Sequence, residues 1–116
     1  MQNTHPAHNN VDMTEVEKFN QLATEWWDTD GAFATLHQIN PLRVSYIQRF
    51  TELHNLRVLD VGCGGGILCE ALCDLGANVT GIDLAPDSLR VAEQHAKNNR
   101  LAIHYQNISA EALVES

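Results

Sequence analysis

Four of the five residues from Gly62 to Gly66 are glycine, within the run VLDVGCGGGIL spanning Val58 to Leu68, and an acid, Asp83, follows 21 positions after Gly62. Where a parallel strand turns into a helix, its carboxyl end presents free backbone amides and the positive end of the helix dipole. Removing side chains at such a corner lets a ligand approach the main chain closely. A carboxylate at the end of the next strand lies beside that corner and can accept both hydroxyls of a ribose. The spacing therefore predicts an adenosine-containing ligand at the strand tips.

Nicotinamide cofactors use the same corner, and the residues argue against them. The dinucleotide fingerprint requires G-x-G-x-x-G, and its sixth place, counted from Gly62, is Ile67. Asp60, two residues before the first glycine, would place a negative charge beside a pyrophosphate. Beside a sulfonium ligand with a free ammonium group, that charge is acceptable or helpful. A nicotinamide-dependent oxidoreductase half and a non-catalytic nucleoside-binding fragment remain the alternative readings at this point.

The elements that must position these residues follow from the hydrophobic period. RVLDV is short, β-branched and bounded by glycine, as in a buried strand, and ILCEALCDL carries apolar residues at helical spacing up to Gly76. NVTGIDL reads as a second strand. APDSLRVAEQHAKNN reads as a helix with Pro86 in its first turn, LAIHYQ as a third strand, and SAEAL as the start of another helix. Strand, helix, strand, helix, strand is the parallel α/β unit of doubly wound sheets. Upstream, TEVE at Thr14 to Glu17 has a capping-box pattern ahead of Val16, Phe19, Ala23, Trp26 and Trp27, and the helix should stop in DTDG. A second helix is expected from Pro41 with Asn40 as its cap.

This gives a loose tail over residues 1–13, a helical cap over 14–55, and a first βαβαβ half over 56–116. In the common strand order the first strand is interior, with a fourth strand on its other side. The strand Arg57 to Val61 should then stand at an open apolar edge, so the sequence reads as the N-terminal half of a longer domain, with a smaller sheet closed by the two N-terminal helices as the alternative.

Composition narrows the class. The 116 residues are 44% hydrophobic and 19% charged, with seven Lys and Arg against fifteen Asp and Glu, a net charge of -8. No basic run appears, which argues against a nucleic-acid partner. The segment MQNTHPAHNN shows neither a basic leader nor an apolar one, so a cytoplasmic location is the expectation. Cys63, Cys69 and Cys73 form no CxxC pair, and the odd count suits neither a disulfide framework nor a zinc cage; no metal site is expected.

VLDVGCGGG followed by VTGIDL resembles the first two motifs of the class I S-adenosylmethionine-dependent methyltransferases, which have a Rossmann-like fold. With WWD at Trp26 to Asp28 and LHQINPLR at Leu36 to Arg43, the chain is similar to the ubiquinone-biosynthesis O-methyltransferases, which methylate catechol-type hydroxyls on polyprenylated rings. The resemblance implies S-adenosyl-L-methionine as cofactor and a polyprenylated phenol as the small-molecule substrate. It further implies that Gly62 lies against the methionine part, that Gly64 and Gly66 allow close approach, and that Asp83 holds the ribose hydroxyls. Arg43 would pair with the methionine carboxylate, and Ser109 to Glu111 would edge the adenine. The family's later contacts have no counterpart in this sequence. Any association with a quinone-biosynthesis complex, or peripherally with the inner membrane face, would run through that other half.

Each residue also has a plainer role. Asp60 can organise the glycine loop by accepting its amides. Arg43 can be a surface arginine, and Trp26 and Trp27 can serve as core and lid packing. His37, near the NPLR segment, is a residue type that can serve as a general base but reads as structural or solvent-facing, and His95 and His104 have no partner visible in the sequence. No general base is assigned.

Overall fold

The structure is a computed structural model that describes the backbone of residues 4–115 and the side chains of residues 14–115. Eight elements follow in the order α1 (Thr4–Trp27), α2 (Ala34–Gln48), β1 (Arg57–Val61), α3 (Ile67–Asp74), β2 (Asn78–Ile82), α4 (Pro86–Asn98), β3 (His104–Gln106) and α5 (Ala110–Glu115). The α/β alternation is the expected one, and the sheet is parallel with strand order β1-β2-β3.

The two N-terminal helices start earlier than their sequence punctuation suggests. α1 is helical from Thr4, so Thr14 lies inside it and the TEVE pattern does not begin it; residues 1–3 of the expected tail lie outside the described residues. After Pro6 no glycine or proline interrupts the chain until Gly31, so nothing local opposes extension of the helix. It ends where expected: the Asp28 carboxylate accepts the Asp30 amide at 2.9 Å, and the Gly31 amide donates to the Asp28 carbonyl at 3.1 Å. α2 begins at Ala34, not Pro41, and carries Pro41 inside it. Asn40 is not a cap. It is buried, and its side-chain amide donates to the Ile67 carbonyl at 3.3 Å, which ties α2 to the first turn of α3.

The core lies between one face of the sheet and the helices α3 and α4. Leu53, Cys63, Cys69, Leu72, Ala77, Val79 and Leu89 form its buried cluster, with Val58 and Tyr105 packed against it. Alternation within the strands sends Arg57 and Leu59, Asn78 and Thr80, and His104 and Gln106 toward a concavity of about 630 Å³ instead. β1 stands at the sheet edge as expected, with Leu59 47% and Val61 60% exposed. β3 is shorter than the LAIHYQ run: pairing with β2 covers only His104 to Gln106.

The register positions the functional corner. Val61 pairs with Ile82, and Ile82 with Gln106, so the three strands end level. Gly62, Asp83 and Asn107, each the next residue along its strand, therefore lie side by side.

Candidate functional site

The glycine corner is fastened to the tip of β2 by three bonds. The amides of Gly62 and Cys63 both donate to the Ile82 carbonyl, at 2.8 and 3.0 Å, and the Gly64 amide donates to the Asp83 carboxylate at 2.9 Å. The other carboxylate oxygen of Asp83 accepts the Ala85 amide at 2.8 Å. Each oxygen of an ionised carboxylate accepts about two hydrogen bonds, so each Asp83 oxygen keeps acceptor capacity beyond its one backbone bond.

The glycines of this turn do different work. Gly62 has a φ of +74°, and a Cβ built there would meet nothing within 4 Å. Gly64, with a φ of +54°, has no such space: its Cβ would lie 2.6 Å from Cη2 of Trp26, and one on Gly65 would lie 2.5 Å from Cδ2 of the same indole. The bare main chain at Gly64 and Gly65 is thus covered by Trp26, whereas the space above Gly62 is open to a ligand.

That space is part of a cleft of about 290 Å³ at the strand tips, lined by Val61, Gly62, Ile82, Asp83, Leu84 and the segment Ile108 to Glu111. The structure thereby brings Gly62, Asp83 and Ser109 to Glu111 into one cleft. Arg43 does not line it. Exposed on α2, it borders a separate apolar depression of about 380 Å³ with Ile39, Leu42, Tyr46, Ile47 and Leu68.

The electrostatics of the corner are acidic. Burial raises the Asp60 carboxyl above its ordinary value, the Cys69 thiol and the Arg43 guanidinium pull it back, and the charge on Asp83 raises it further. The Cys69 thiol donates to Asp60 Oδ2 at 3.3 Å. Asp60 therefore bonds to α3 instead of accepting the loop amides, which go to Ile82 and Asp83. Of these two carboxylates only Asp83 lines the cleft, together with Glu111, so the charge facing a ligand there is negative, which disfavours a pyrophosphate and suits a ligand bearing positive charge.

A model of the methyltransferase domain family matches residues 58–116, from the second residue of β1 onward. The chain belongs to the methyltransferase domain family. Among its relatives, the ubiquinone biosynthesis O-methyltransferase of Nitrosococcus oceani is 56% identical over 107 residues, covering 92% of this chain and 45% of the relative. That of Methylococcus capsulatus is 51% identical over 110 residues, covering 95% and 46%. The chain thus spans less than half the length of these relatives. A solved structure of magnesium protoporphyrin IX methyltransferase from Synechocystis PCC 6803 with bound SAM superposes with a TM-score of 0.58 at 26% identity, covering 63% of this chain and 36% of that one.

The methyltransferase domain carries features around its corner that the sequence did not reveal. His95, which had no visible partner, places Nδ1 2.6 Å from Oε2 of the buried Glu70 and stacks on Trp27 with ring centroids 3.6 Å apart. The two residues lie 25 positions apart on different helices, and no local pattern joins them. Asn107 donates to the Asp83 carbonyl at 2.9 Å and couples the tips of β2 and β3; its place just beyond the third strand was the available signal. His37 is structural, its Nε2 lying 2.8 Å from the Trp26 carbonyl. Cys63, Cys69 and Cys73 are all free thiols, and no metal-binding cluster exists among the described residues. No described helix is long and apolar enough to cross a membrane.

Proposed function

We propose that this chain supplies the cofactor-binding half of an S-adenosylmethionine-dependent O-methyltransferase whose acceptor is a phenolic hydroxyl on a polyprenylated ubiquinone precursor. The observation that carries the reading is the open, side-chain-free space over Gly62 in the same cleft as the Asp83 carboxylate. The residues fit the cofactor on three counts. Gly62 leaves room for close approach to the backbone, Asp83 has acceptor capacity left after binding Gly64 and Ala85, and the acidic corner suits a sulfonium with an ammonium group. The identity of the acceptor rests on the ubiquinone-biosynthesis names of the relatives.

When bound, the cofactor supplies an activated methyl group for in-line displacement by a nucleophilic oxygen. The chain's own residues contribute binding and orientation. Asp83 would hold the ribose at the tip of β2, and Gly62 would let the ligand lie on the backbone. Ser109 to Glu111 would border the base at the far side of the cleft. Arg43, on α2 beside Leu68 of α3, would meet the cofactor's carboxylate only if the ligand extends past the glycine turn toward Leu68. His37 is not the proton acceptor in this reading, because its Nε2 is held by the Trp26 carbonyl.

Parallel calorimetric titrations with S-adenosylmethionine and NAD test the cofactor. Binding of the first and not the second is expected, and the reverse would overturn the reading. Methyl transfer to a catechol by the full-length protein, lost with Asp83→Ala, tests the activity.

A further inference from the structure

We propose that His95 and Glu70 are positioning residues of the glycine corner: acting through Trp27, they hold the end of α1 against the turn as a strap. The inference rests on the reading of that corner as the cofactor site.

The contacts close into a ring. The Trp27 indole donates Nε1–H to the Gly65 carbonyl at 3.2 Å, which attaches α1 to the turn. Its face lies on the His95 imidazole of α4, with centroids 3.6 Å apart and planes 1° from parallel. Nδ1 of His95 lies 2.6 Å from Oε2 of Glu70, whose side chain is only 9% exposed on α3. The Glu70 amide in turn donates to the Gly66 carbonyl at 3.0 Å, returning to the same glycine turn.

A buried carboxylate bonded to one ring nitrogen fixes the plane of an imidazole. The fixed imidazole is a rigid platform for the indole, so the orientation of Trp27 is set from α3 and α4 and not by α1 alone. Trp27 also meets the His37 ring in an edge-to-face arrangement, with ring centroids 5.4 Å apart. With Trp27 fixed, its neighbour Trp26 is set over Gly64 and Gly65, stacked on Phe33 at 4.1 Å. One indole thus covers the turn while the other anchors it. The predicted effect is that the turn's amides and carbonyls are held in place for the ligand before it binds.

The test uses Trp27→Phe, which keeps an aromatic ring on His95 but removes the donor to Gly65, together with His95→Ala and the double variant. Three quantities are measured: affinity for S-adenosylhomocysteine by calorimetry, amide hydrogen exchange over residues 62–69, and the melting temperature. Each single variant should weaken binding by about 3- to 10-fold, the affinity equivalent of one neutral hydrogen bond, and should speed exchange in the turn. The double variant should lose no more than the worse single one, because both act through one contact. A merely structural role would lower the melting temperature while leaving affinity and turn exchange of the folded protein unchanged, and that result would overturn the proposal; so would fully additive losses. If the parent protein fails to bind S-adenosylhomocysteine, the cofactor reading falls. Turn exchange then decides by itself: faster exchange in Trp27→Phe upholds the strap, and unchanged exchange removes it.

Discussion

Replacing Asp83 with Asn changes the proposed site by one atom type, and its effect can be worked from the contacts. In the parent, one carboxylate oxygen accepts the Gly64 amide at 2.9 Å and the other accepts the Ala85 amide at 2.8 Å. The side-chain amide of Asn has a single acceptor oxygen. Whichever backbone N–H it satisfies, the other faces an NH₂ group, donor against donor, and the acceptor capacity for a ribose hydroxyl on that side disappears. A hydrogen bond to a charged group contributes about 1.5–3 kcal/mol. Loss of one should weaken S-adenosylmethionine binding by about 10- to 150-fold, at a conversion of about 1.4 kcal/mol per factor of ten. The fold should lose less, about 1 kcal/mol, because the corner is only partly buried and water can replace one partner. Calorimetric titration beside a thermal melt separates the two effects. Affinity within about threefold of the parent, in a variant that melts normally, would refute the assignment of Asp83 as the ribose acceptor.

Three other outcomes follow from the geometry. Burial holds the Asp60 carboxyl above its ordinary value, so the folded state binds that proton more tightly than the unfolded chain. Its stabilising contribution is complete below the ordinary carboxylate range and is lost as pH rises through the raised folded value. Asp60→Asn should therefore melt above the parent at pH ~7, with the gap closing toward pH ~4, and a gap independent of pH would contradict the burial argument. Gly65→Ala drives a Cβ into the Trp26 indole and should cost about 1–3 kcal/mol, less in a Trp26→Ala background. Gly62→Ala meets no atom and should cost only about 1–2 kcal/mol of backbone strain, yet reduce cofactor affinity disproportionately; denaturant melts and calorimetry compare the pair.

Much of the α/β half was legible because its signals are local. RVLDV, the glycine run, and Pro86 at the head of α4 each dictate a conformation within a few residues, and β1, α3 and α4 fall where those signals lie. The N-terminal helices were read less well for the complementary reason. TEVE and Asn40-Pro41 are start signals by local chemistry, yet α1 and α2 run straight through them. At α2 the Asn40 side chain is committed to Ile67 and not to a cap, a preference worth about 1 kcal/mol, and at α1 no glycine or proline between Pro6 and Gly31 opposes a helix that starts ahead of TEVE.

By itself the sequence determined that Gly62 and Asp83 would meet: parallel strands joined by right-handed crossovers bring successive carboxyl ends together whatever the rest of the chain does. Only the tertiary structure decided which glycines leave open space and which face Trp26, where Arg43 stands relative to the cleft, and that His95 finds Glu70 and Trp27. Those relations join residues on separate helices, and they are fixed by how the helices pack over the sheet. The sequence spells out each element's own geometry, whereas the angles and offsets between elements emerge only when all the side chains fill the space between them at once.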